Sequence, residues 1–232
     1  MEFLSEIELY YSPNVIGEKV KIIGEEVRHI SKVMRHKPGD KLYTTDGKGF
    51  LYEGTIEKIS KDEIEINIIS KKYFENVLEN IWFCLPKIKS QDRIEFAIEK
   101  CTELGITNFI FYNAEREIKS NLKRTRIEKV AMSAMKQSLR LHLPKIEEVN
   151  SITDLNKFNH NLIVLEQKSP SRLSDLKIIS GSQFYFLFGP EGGFSEKETS
   201  LICSENHYSL GLSRLRTETA AVSCASIIQM LI

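Results

Sequence analysis

The chain has 232 residues, with 32 basic side chains against 32 acidic ones. That length buries a substantial core in one or two domains, and the balanced charge excludes a global field for a polyanion, so any nucleic-acid surface must be a local patch. Cys84, Cys101, Cys203 and Cys224 are scattered, with no Cys-x-x-Cys spacing and no partnering histidine cluster, which predicts reduced, inert thiols and no metal. The opening "MEFLSEIELYYSP" carries an acid and no long apolar run, so it does not read as a signal peptide. No stretch approaches the roughly 20 apolar residues that cross a bilayer, and a cytoplasmic protein with no membrane partner is expected.

In chain order, the first predicted feature is a short helix. Val27, Ile30 and Met34 share one face of it, and Arg28, Lys32 and Arg35 share another. "KLYTTDG" and "KGFLYEGTIEKI" then flank Asp46-Gly47, a hairpin-turn signal. "DEIEINII" alternates Ile64, Ile66 and Ile68 against Glu63, Glu65 and Asn67, which predicts a half-buried strand. Residues 1–72 thus form a small β-rich module, with the boundary in the polar stretch Ser70 to Asn80.

From Ile81 the pattern changes. "IWFCL", "FIFY", "LIVLE" and "FYFLF" are short apolar runs, as expected of strands buried on both faces. Between the first two, Ile94, Ala97, Ile98, Cys101 and Leu104 recur at helical spacing and Gly105 stops the helix. "KRTRIEKVAMSAMKQSLR" predicts a second helix, and "TETAAVSCASIIQMLI" a final one, with Thr217 as its N-cap and Glu218 near the favourable end of its dipole. Residues 73–232 therefore read as an α/β domain on a largely parallel sheet.

The strand Phe184 to Phe188 runs into "GPEGGF", and Ser195 with Glu198 forms a capping box that starts the next helix. The loop lies where ligands sit in open α/β sheets. It lacks the Lys-Ser/Thr of a phosphate-cradling loop and the Gly-x-Gly-x-x-Gly of a dinucleotide fingerprint, and Glu191 repels phosphate. A ligand of little negative charge, read through backbone groups, fits; a tight structural turn is the alternative. A second strand, "HYSLG", enters the loop of "LGLSRLRTETAA" at the same sheet edge, so two strand ends and a flanking arginine meet there.

These two segments, with "EKCTELGI" (Glu99 to Ile106) and "AMKQSLRLHLPKI" (Ala134 to Ile146), resemble the RsmE family of ribosomal RNA uridine-N3 methyltransferases, of the SPOUT superfamily. The resemblance covers essentially the whole chain. It implies a C-terminal SPOUT-type parallel sheet with a deep trefoil knot, preceded by a PUA-like β-barrel domain that binds RNA. It also implies S-adenosylmethionine as cofactor, small-subunit (16S) ribosomal RNA as partner and a homodimer formed through the final helix. One departure from the family pattern is Ser213-Arg214, where an Arg-Ile or similar pair is expected.

Carried onto this chain, the resemblance implies cofactor contacts from Leu165, Phe188, Gly189, Pro190, Glu191, Gly192, Gly193, Leu210, Gly211, Leu212, Leu215 and Thr219. Arg216 is the candidate for stabilising charge on the uracil oxygens, against a phosphate contact or a structural ion pair. Glu218 is the candidate base, against a carboxylate that only meets the helix dipole. Glu191 either faces the sulfonium or closes its turn, and His207 reads as structural. Arg28, Lys32 and Arg35, together with Lys123, Arg124, Arg126 and Arg140 from the basic segment Arg116 to Lys145, are the candidate RNA contacts, against ordinary solvated faces. Tyr10, Tyr11 and Phe50 stack bases or pack in the core. The second functional reading is a non-catalytic RNA-binding or assembly factor on the same fold, and cofactor binding discriminates the two.

Overall fold

The computed structural model describes residues 7–117, 121–155, 162–179, 181–201 and 206–232. Cys203 lies outside them, as does Lys119 of the basic segment. The chain forms two compact units: residues up to Asn76 together with Met135–Leu143, and Val77–Ala134 together with Pro144–Ile232.

The first unit is a six-stranded sheet in the order β1 (Leu9–Tyr11), β4 (Lys41–Thr45), β5 (Phe50–Ile59), β6 (Glu63–Tyr73), β3 (Lys19–Ile23) and β2 (Val15–Ile16). All pairs are antiparallel except β1 with β4. Ile64 and Ile66 are buried as their alternation predicts, and they pack with Tyr10, Val20, Ile22, Leu42 and Ile56. Two register shifts in the β5–β6 ladder bend the sheet, and at Gly54 an added Cβ would lie 2.6 Å from the Asn67 carbonyl, so that bend requires glycine. Ser12 Oγ donates to the Lys21 carbonyl at 2.5 Å, which draws the β1 and β3 ends of the curl together.

The predicted N-terminal helix is shorter than its pattern. Helix α1 (Glu25–Arg28) widens into a π-helical turn over His29–Val33. That wider winding breaks the expected 3.6-residue face: Val27 and Ile30 are buried, but Met34 is exposed and Arg35 lies past the helical end at φ 60°. Tyr10 belongs to the core, its ring against His29 and His36.

The second unit is a wholly parallel sheet in the order β12 (His207–Tyr208), β10 (Leu162–Leu165), β11 (Phe184–Leu187), β7 (Ile81–Pro86), β8 (Asn108–Tyr112) and β9 (Lys145–Glu148). From β7 the chain steps outward through β8 to β9, then returns to the other side for β10, β11 and β12. The strand order therefore switches at the β7–β11 pair, the position that opens a crevice at the C-terminal edge. Helix α2 (Gln91–Glu103) and the final helix α6 (Thr217–Leu231) share one buried cluster, in which Ile94, Ala97, Ile98 and Cys101 meet Ala221, Cys224, Ala225 and Ile228. Helices α3 (Arg124–Gln137), α4 (Ile152–Leu155) and α5 (Glu196–Ser200) complete the unit, except that α3 passes at Met135 into the first unit. Cys84, Cys101 and Cys224 are free, and burial pushes their thiols up, away from thiolate. Among the described residues no helix is long and apolar enough to cross a membrane.

Candidate functional site

Three adjacent strands, β10, β11 and β12, release their chains at one sheet edge. The segments that follow them enclose a cavity of about 820 Å³, within the size range of small-molecule sites. Its walls come from Leu165–Lys168, from Phe188–Phe194 without Gly192, and from Arg214–Thr217, with Arg93 and Arg116 added from α2 and the β8 exit.

The glycine loop owes its shape to what surrounds it. Tyr112, fully buried, donates its hydroxyl to the Phe188 carbonyl at 2.6 Å. At Gly189 an added Cβ would stand 3.2 Å from the Phe194 ring, and at Gly192 one would stand 3.1 Å from the Arg116 carbonyl. Gly193 sits at φ 69°, a conformation that glycine adopts without strain, and its N–H closes a turn onto the Pro190 carbonyl at 2.9 Å. The capping box is present: Ser195 Oγ accepts from Glu198 N–H at 3.0 Å and Glu198 Oε2 accepts from Ser195 N–H at 2.8 Å. The buried Glu198 carboxylate also accepts from Glu115 N–H at 3.0 Å, which ties the β8 exit to the same loop.

The expected N-cap of α6 is displaced by one residue. Arg216 holds the cap position with extended backbone and no side-chain cap bond, because the Thr217 hydroxyl donates instead to the Gly189 carbonyl at 2.7 Å. That bond joins the two ligand loops. A second bond does the same, Arg214 Nη2 donating to the Glu191 carbonyl at 2.8 Å, and Gln167 Nε2 donates to the Leu212 carbonyl at 2.9 Å, which ties the second loop to the β10 exit.

Charge in the site is arranged around Arg93. Its guanidinium pairs with Glu191, and its Nε lies 3.6 Å from Glu218 Oε1. Glu218 is only 9% exposed, does not line the cavity, and its Oε2 has no hydrogen-bond partner among the described residues. His207 Nδ1 meets Glu166 Oε2 at 2.7 Å, and His207 also lines the cavity.

Of the sequence-predicted site residues, the cavity brings together Leu165, Phe188, Gly189, Pro190, Glu191, Gly193, Leu215 and Arg216. Gly192, Leu210, Gly211, Leu212 and Thr219 lie outside its lining, and Leu212 is 90% exposed. Arg93 and Lys168 escaped the sequence reading, and Arg116 entered it only as the first residue of the basic segment. For Arg93 a signal exists: a cation in the first turn of a helix opposes the dipole, so its presence asks for a nearby carboxylate. Arg28, Lys32 and Arg35 are exposed in the first unit. In the second, Lys123 is exposed, whereas Arg124 pairs with Glu128 and Arg126 with Glu95. Arg140, which folds with the first unit, departs from the others: it is half-buried, and desolvation lowers its pKa.

An RNA methyltransferase domain model matches residues 75–229, and an RNA methyltransferase PUA domain model matches residues 22–69. The chain belongs to this RNA methyltransferase family. Ribosomal RNA small subunit methyltransferase E of Bacillus subtilis is 31% identical over 208 residues, covering 82% of this chain and 81% of that one. A probable rRNA-methyltransferase from Porphyromonas gingivalis superposes with TM-score 0.85 at 28% identity, covering 97% of this chain and 98% of that one. Ribosomal RNA small subunit methyltransferase E from Neisseria gonorrhoeae, solved bound to S-adenosyl methionine, gives TM-score 0.85 at 26% identity with the same coverage. The methyltransferase domain is contiguous in sequence but not in space, since Met135–Leu143 fold with the PUA-containing unit.

Proposed function

We propose that this protein methylates N3 of a uridine in the 16S ribosomal RNA of the small ribosomal subunit, with S-adenosylmethionine as the methyl donor. The observation that carries the reading is the cavity between the glycine loop and the Arg214–Thr217 loop, in a chain of an RNA methyltransferase family. The residues fit the cofactor: the loop exposes backbone rather than bulk beside the apolar Leu165, Phe188 and Leu215. The glycine loop, Leu165 and Leu215 would hold it. When bound, it supplies a methyl group on a cationic sulfur.

The chain's own residues handle the uracil. As the imide proton leaves N3, negative charge spreads to the ring oxygens, and Arg216 at the cavity wall offsets it. Glu218 is the candidate proton acceptor in this reading through its unpartnered Oε2, although it stands just behind the cavity lining with Oε1 3.6 Å from Arg93 Nε. Arg28, Lys32, Arg35, Lys123, Arg124, Arg126 and Arg140 contribute phosphate contacts. The chain acts in the cytoplasm as a knotted homodimer, with domains 1–72 and 73–232. In support, α6 buries one face on α2 yet leaves Met230 84% exposed and Val222 and Ile227 half-buried on its others.

The test is methyl transfer from labelled cofactor to ribosomal RNA and to small subunits, followed by mapping of the modified base. Transfer to N3 of one uridine is expected. Folded protein that binds RNA but gives no heat with S-adenosylmethionine in calorimetry would establish the non-catalytic reading instead. A monomeric mass in light scattering at micromolar concentration would remove the dimer.

A further inference from the structure

The cavity carries more positive charge than the chemistry above requires. Its lining holds five basic side chains, Arg93, Arg116, Lys168, Arg214 and Arg216, against the acidic Glu166 and Glu191. Arg93 is paired with Glu191 and Glu218, and Glu166 is taken by His207. The other four cations have no ion-pair partner among the described residues. S-adenosylmethionine is itself a net cation, since its sulfonium and ammonium outweigh its one carboxylate. Loading it therefore adds to the surplus, and like charges gathered in one cavity repel unless an anion joins them.

Three of these cations come from separate loops, and one of them, Arg214, is held by a hydrogen bond of its side chain. Arg116 packs its backbone close on the glycine loop, where a Cβ at residue 192 would stand 3.1 Å from its carbonyl and 3.2 Å from its own Cβ. Arg214 is tied by its Nη2 to the Glu191 carbonyl at 2.8 Å, with the rest of its fork left to donate. Lys168 follows Gln167, whose amide reaches the Leu212 carbonyl.

We propose that Arg116, Lys168 and Arg214 form a phosphate subsite for the RNA backbone beside the methylated base. The proposal rests on reading the cavity as an RNA methyltransferase site. Two guanidinium forks and one ammonium match phosphodiester oxygens, which position a strand without reading its sequence. Arg216 is then left for the base.

The experiment replaces Arg116, Lys168 and Arg214 with Gln, singly and together, and measures binding of small-subunit ribosomal RNA across a salt series. Each single change is expected to reduce the slope of log affinity against log salt by about 0.7, and the triple variant by about two. Calorimetry with S-adenosylmethionine should give the wild-type affinity for Arg116→Gln and Lys168→Gln, while Arg214→Gln and the triple variant, which also lose the bond to the Glu191 carbonyl, should weaken it by less than about tenfold. A fragment with a neutral methylphosphonate beside the target base should weaken wild type and leave the triple variant unaffected. Unchanged slopes would overturn the subsite, as would a larger loss of S-adenosylmethionine affinity, which would mean the cations hold the cofactor's carboxylate. If wild type transfers no methyl group, the enzymatic reading fails on its own, while the slopes still decide the subsite.

Discussion

The two loops at the sheet edge are built on opposite plans. The glycine loop is held from every side: Tyr112 and Thr217 take its carbonyls, a turn closes it internally, and Glu198 anchors its exit. From Gly211 to Arg216 the second loop is exposed throughout, with Gln167 and Arg214 tying it across. A loop fixed by its own surroundings presents a preformed surface, and ordering it costs nothing when a ligand arrives. A loop of exposed side chains presents charges instead. The contrast assigns shape to the first and charge to the second, and it is open to attack at each point.

The largest expected effect is on the charge side. Arg216→Ala should leave S-adenosylmethionine binding intact while single-turnover methyl transfer at saturating RNA falls by about 2.7–4 kcal/mol of transition-state stabilisation. Retention of the full rate would make Arg216 an RNA-docking residue. On the shape side, Glu198→Ala removes a buried carboxylate that accepts from the backbone N–H groups of both Ser195 and Glu115. It should destabilise the second unit by about 2–3 kcal/mol, because hydrogen bonds to a charged group are lost and the donors are stranded. Calorimetric unfolding beside the exposed Glu196→Ala provides the comparison, and equal melting temperatures would show that the loop does not depend on this anchor.

The same contrast explains what the sequence disclosed. Parallel strands read as apolar runs, and the capping box Ser195/Glu198 reads from four residues, because both are local consequences of side-chain chemistry. The π-helical turn after Arg28 was hidden, since Val27, Ile30 and Met34 fit an ordinary helix and only burial reveals that Met34 faces solvent. Thr217 suits an N-cap by type, yet the Gly189 carbonyl, 28 residues earlier, claims its hydroxyl. Arg93 and Arg116 reach the cavity from α2 and the β8 exit, and no spacing along the chain marks that convergence. Met135–Leu143 joining the first unit is equally a matter of tertiary packing, in a segment whose pattern continues α3.

Gly193 sharpens the shape assignment. Its φ of 69° is strained for a β-branched residue, while an added Cβ would meet no protein atom within 4 Å. Gly193→Val should therefore weaken S-adenosylmethionine binding by about 1–2 kcal/mol through backbone strain, roughly a tenfold rise in Kd, with RNA affinity unchanged. Asparagine tolerates the left-handed region, so Gly193→Asn should retain most of the affinity. If both variants lose it equally, bulk in the cavity rather than backbone shape is responsible.

The smallest effect is expected where the loops meet. Thr217→Val keeps the shape of the side chain but removes the hydroxyl that donates to the Gly189 carbonyl at 2.7 Å. One neutral hydrogen bond contributes about 0.5–1.5 kcal/mol, and the remaining constraints on the glycine loop (Tyr112, the Pro190 turn and the capping box) are untouched. The Kd for S-adenosylmethionine should accordingly rise by less than in Gly193→Val, with the salt slope for RNA unaltered. A larger loss in Thr217→Val than in Gly193→Val would reverse the assignment. The glycine loop would then take its shape from the exposed loop through this single bond, and shape and charge would not be separable functions of the two.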